Sequence, residues 1–94
     1  MHARVVRFTG VDADRIAAVK QRIEESDGPP PGVEATSIEV MYDASAQTSV
    51  VVLRFGSEEQ MRAADEIMSA MDTGDTPGSR ESVDLCEVML QREV

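Results

Sequence analysis

Four charged residues stand out as groups that could do chemistry: Arg7, Glu39, Arg54 and Glu87. Each sits in a stretch otherwise rich in Val, Ile, Leu and Met, where an ion without a counter-ion is costly. Antiparallel pairing that sets Val6 opposite Val88 also sets Arg7 opposite Glu87. Pairing that sets Val40 opposite Leu53 sets Glu39 opposite Arg54. Both are then cross-strand pairs of opposite charge on one apolar face, beside Met41 and Met89. Such a quartet either anchors an acidic or phenolic ligand or neutralises itself inside an assembly, and the spacing leaves both readings open. Tyr42, which could act as a general acid or donate a hydrogen bond to a substrate oxygen, has the parity of the opposite face. The plainer reading is a tyrosine at a strand end.

The other reactive types have weaker settings. His2 could be a base or a ligand, but a histidine this near the start of the chain more often lies in solvent. Cys86, the one cysteine, reads as a small core residue, since no base is placed to activate it. Met61, Met68 and Met71 recur at helical spacing and read as a packing stripe. Glu24-Glu25 and Glu58-Glu59 read as solvated helix ends, the second pair favouring a helix N-terminus. Gly28-Pro29-Pro30-Pro31-Gly32 could be a polyproline ligand, but reads more simply as a stiff connection.

Composition narrows the classes. The chain has 94 residues, 41% hydrophobic and 29% charged, which is enough apolar material for one small globular domain over 1–94. Its net charge of −9 repels nucleic-acid phosphates and anionic headgroups, so neither nucleic acid nor membrane is an expected partner. The apolar runs Ile16–Val19 and Val50–Leu53 are too short to span a bilayer, and the first residues show no secretory pattern. A single cysteine and a single histidine supply neither an internal disulfide nor a zinc cage. The expectation is a cytoplasmic protein without a cofactor. RNA-recognition aromatics, a Cys-x-x-Cys metal motif, an Arg plus Asn phosphatase pair and a phosphate-cradling glycine loop are all missing.

The elements that must position these residues follow from periodicity and punctuation. Arg4–Thr9 reads as a strand ended by Gly10. Asp12 caps a helix to about Ser26, with Ile16, Val19 and Ile23 on its inner stripe. Residues 26–32 break the pattern. Ala35–Asp43 and Thr48–Phe55 form a hairpin. Ser57 caps a second helix to about Asp72, with Gln60 completing a capping-box pattern. Its inner stripe is Met61, Ala64, Met68 and Met71, with Ile67 beside it. After a loop at 72–81, Ser82–Arg92 is the last strand. The order βαββαβ predicts an α+β, ferredoxin-like sandwich with antiparallel sheet order 4-1-3-2 and both helices on one face.

Two helices cover one face of such a sheet. Val6, Phe8, Ile38, Val40, Val51, Leu53, Phe55, Cys86, Val88 and Leu90 are assigned beneath them. Val5, Arg7, Thr9, Glu39, Met41, Val50, Val52, Arg54, Leu85, Glu87 and Met89 then make the other face. That second face is too apolar to stay wet on a lone chain. The economical solution is an isologous homodimer with its sheets face to face around a cavity.

With these features the chain resembles the dimeric α+β barrel superfamily, and within it the antibiotic-biosynthesis-monooxygenase-like group. The resemblance runs over nearly the whole chain and is clearest at Val51-Val52-Leu53-Arg54-Phe55-Gly56-Ser57-Glu58-Glu59-Gln60-Met61, a strand ending in an aromatic followed by a capped, acidic helix start. It implies a homodimeric barrel and either of two functions. One is binding of a small organic ligand in the inter-sheet cavity, for which the reading of the strands, not the resemblance, offers Arg7, Glu39, Met41, Tyr42, Arg54, Glu87 and Met89 as lining. The alternative is a cofactor-independent monooxygenase or isomerase acting on a phenolic or polyketide-like substrate, with Arg7 or Arg54 stabilising a developing phenolate or enolate. The haem-degrading members are similar in using Asn, Trp and a ligating His; this chain has neither Asn nor Trp, and Arg62-Ala63-Ala64-Asp65 stands where that His would be. No catalytic residue is carried over.

Overall fold

The β-branched stretch at the start of the chain pairs as a strand and Gly10 ends it, its φ of +67° lying where glycine is at ease. In a computed structural model that describes residues 1–26, 28, 32–70 and 79–93, the elements are β1 (His2–Thr9), α1 (Ala13–Glu25), β2 (Ser37–Asp43), β3 (Thr48–Phe55), α2 (Glu58–Ala70) and β4 (Ser79–Glu87). The sheet runs β2-β3-β1-β4 with every neighbour antiparallel. Read from the other edge, this is the expected 4-1-3-2 order, compatible with a ferredoxin-like arrangement. Met71, Asp27, Pro29–Pro31 and the loop at 72–78 lie outside the described residues.

The helix ends are held by the residues expected to hold them. Asp12 accepts from the Arg15 amide at 2.8 Å, and the Ser26 amide and hydroxyl both donate to the Ile23 carbonyl. Ser57 Oγ accepts from the Gln60 amide at 3.2 Å. The return half of the capping box is absent: Gln60 Nε2 donates to Glu34 at 2.7 Å and ties α2 to the segment entering β2.

Below α2 lies the core. Val33, Leu53, Phe55, Met61 and Ala64 are buried together, with Ala35, Ile67, Met68 and Leu85 against them. Gly32 is required here: its φ is +85°, and a Cβ would stand 2.7 Å from Ile67 Cδ1. No α1 residue is fully buried. That helix is anchored at its N-terminal end, where fully buried Val11 receives the Tyr42 hydroxyl at its carbonyl (2.8 Å) and donates its amide to the Gln47 carbonyl (2.9 Å).

The β2–β3 turn is organised by Asp43, whose Oδ1 accepts from the Ser45 hydroxyl (2.8 Å), the Ser45 amide and the Ala46 amide. The Ser45 hydroxyl bond, then the Ala46 amide, hold the Asp43 carboxyl below its ordinary value. A carboxyl lowered by folding adds stability above its unfolded value and loses it as pH falls through the folded value. Acidification below about pH 4 therefore loosens this turn, and Asp43→Asn removes that part of the acid dependence. Amide exchange of Ser45 and Ala46 across an acid titration checks it.

The structure corrects the last strand. β4 spans Ser79–Glu87 in place of Ser82–Arg92, and Val6 stands opposite Val83, not Val88. The register slips between Arg7 and Phe8, which opens a bulge in β4. An odd shift exchanges the faces of a strand. Leu85 and Val83 therefore turn toward the helices, while Asp84 and Cys86 take the open face; Cys86 is exposed, not core. The sequence alternation changes phase at Leu85-Cys86, so both faces carry apolar residues and counting them does not choose between registers. The energetic choice is Leu85 against the core cluster. β1 begins two residues earlier than expected, and β2 begins at Ser37, not Ala35.

Candidate functional site

The helix-free face is built by alternation along the central strands. Pairing of Ala3 with Arg54, Val5 with Val52 and Arg7 with Val50 places an arginine at each end of a valine cluster. β2 adds Glu39 and Met41 on one side, and β4 adds Asp84 and Cys86 on the other. Met41 is exposed.

The two arginines are held differently. Arg54 is two-thirds or more covered and meets Glu39 with its Nη2 and Nε at 3.4 Å. The expected pair therefore forms, although Glu39 stands opposite Val52 and reaches Arg54 diagonally. Arg7 does not meet Glu87. It lies opposite Ser82, and its Nε is 3.9 Å from Glu81, with both side chains about half exposed. A contact that long and that wet is easily exchanged for another anion.

Three predicted members of the site lie elsewhere. Glu87 is on the helix-facing side, where it approaches His2 Nε2 at 3.9 Å. Tyr42 is also on that side, its hydroxyl committed to Val11. Met89 lies beyond the end of β4 and is 82% exposed, so it lines nothing within the single chain. The structure brings together Arg7, Glu39, Met41 and Arg54, and adds Glu81, Asp84 and Cys86. Glu81 is the extra residue of the bulge, and Asp84 comes to this face through the odd register shift of β4; no local pattern announces either.

A second charged pair lies on the helix side of the sheet. Arg4 shares its parity with Val6, so it points under α2, where it is 4% exposed. Its Nε donates to Asp65 Oδ1 at 2.9 Å, and Nη1 approaches the Met68 sulfur. Asp65 lies beside Ala64 and Met68 on the inner half of α2, so the two periodicities together point to this pair. His2 Nδ1 is buried with no hydrogen-bond partner among the described residues.

Among the described residues, no group of three or more His, Cys, Asp or Glu could hold a metal ion, and no helix is long and apolar enough to cross a membrane. No protein family, curated protein or solved structure matches this chain.

Proposed function

We propose that the protein acts as a homodimer whose open sheet faces meet and enclose a site for a small organic ligand, in the manner of the dimeric α+β barrels it resembles. The observation that carries this reading is the sheet face itself: half-buried Val5 and Val50 and buried Val52 lie centrally on it, with exposed Met41 beside them and an arginine at each end, and both helices lie on the other side. Apolar β-surface of this kind is a typical isologous contact. Arg7 is the ligand's partner, because Arg54 is already engaged by Glu39 while Glu81 holds Arg7 loosely. A carboxylate or phenolate would replace Glu81 and gain a charge-assisted hydrogen bond in a drier setting. A reducing compartment such as the cytoplasm suits the free, exposed Cys86. Binding is favoured over the monooxygenase alternative because the chain's one histidine and one tyrosine lie on the helix side, away from both arginines.

Light scattering at micromolar concentration is expected to return twice the 10.2 kDa chain mass. Val50→Asp places a carboxylate in the valine cluster, beside Arg7, which can pair with it in the folded single chain. That variant is expected to stay folded and become monomeric. Arg7→Met is expected to stay dimeric and to lose any small molecule that native mass spectrometry finds on the wild-type dimer. A stable wild-type monomer overturns the proposal; an Arg7→Met dimer that keeps its adduct overturns the role of Arg7.

A further inference from the structure

Between α1 and β2, on the helix side of the sheet and away from Arg7, two apolar surfaces face each other without closing. Ile16, Ala17 and Ile23 of α1 and Ile38 and Val40 of β2 bound a cleft of about 530 Å³, within the range of small-molecule sites. The anchor at Val11, Tyr42 and Gln47 pins the helix at one end only. The cleft is therefore a slot, with Tyr42 at the fastened end and Ile23 and Ile38 toward the other. Its walls offer almost no hydrogen bonding, because the Tyr42 hydroxyl is spent on the Val11 carbonyl. An occupant must be apolar along its length. At the rim stand the two charged residues of this lining, Lys20 and Glu24, 3.9 Å apart in an exposed pair; Lys20 is its cation, and a ligand carboxylate could take the place of Glu24 on it.

We infer that this slot binds a small aliphatic carboxylate, its hydrocarbon chain between α1 and β2 and its head group on Lys20. The inference is independent of the dimer and of the ligand proposed for the open face, which lies across the sheet.

Tyr42 is the only tyrosine of a chain without tryptophan, so its emission reports on the slot. Decanoate, used below its micelle concentration, is expected to change that emission saturably and to shift the methyl resonances of Ile23 and Ile38 but not Val50. Ala17→Phe, which fills the slot from an exposed helix position, is expected to weaken binding about tenfold or more, the scale of overpacking. If that variant does not fold, Ile38→Asp on the exposed strand edge replaces it with the same expectation. Lys20→Met is expected to weaken decanoate and leave decanol unchanged. No saturable response, or equal binding to the filled variant, overturns the site. Wild-type protein that binds decanol as tightly as decanoate overturns the carboxylate assignment.

Discussion

Asp65→Ala is expected to destabilise the fold by about 3 kcal/mol, the lower part of the range for stranding one partner of a buried ion pair. The Arg4 side chain is 4% exposed and would lose the carboxylate beside it. Asp65 is 27% exposed, so water reaches the vacated side and holds the cost at the lower end. The pair is not itself a large source of stability, because desolvating both ions offsets most of their attraction. The double variant Arg4→Met, Asp65→Leu is accordingly expected to recover most of the loss, with Met and Leu packing against Met68. Urea unfolding at one fixed protein concentration checks both variants, since a dimer's apparent stability moves with concentration. A single variant as stable as the wild type would mean that Arg4 finds another partner.

Phe55→Ala is expected to cost about 3–5 kcal/mol, the range for an aromatic removed from a packed core. Its side chain is fully buried among Val33, Leu53, Met61 and Ala64, where β3 meets α2. That loss is a large part of the roughly 5–15 kcal/mol total of a small domain. Ile38→Ala, on the exposed edge of β2, is expected to cost far less. The urea midpoint should fall for Phe55→Ala with its slope unchanged. Equal costs for the two variants would place the core under α1 instead of α2.

Much of this architecture is legible in the chain. Gly10 and Gly56 punctuate the strands, Asp12 and Ser57 cap the helices, and β3 carries the β-branched run Val50–Val52. The helix that covers the core is readable from Met61, Ala64 and Met68. Pairing register is where local pattern stops being informative, and parity decides how much that matters. On β2 the partner of Val40 is Val51 where Leu53 was expected, an even shift that leaves every side chain on its face. The Arg54–Glu39 pair therefore survives it. On β4 the partner of Val6 is Val83 where Val88 was expected, an odd shift that exchanges the faces. Arg7 then loses Glu87 and gains Glu81, and Cys86 comes out of the core. A bulge set by long-range pairing has no signature in the residues around it. Arg4 is a different case: it opens the strand expected at that point, and a charged residue at a strand end has no special meaning until Asp65 is placed above it.

The most direct test of the open face is an isotope-filtered nuclear Overhauser experiment on an equal mixture of methyl-labelled and unlabelled chains. The account predicts cross-peaks between chains at the methyl groups of Val5, Val50 and Val52. Their absence, with tumbling that corresponds to the 10.2 kDa single chain, would contradict it.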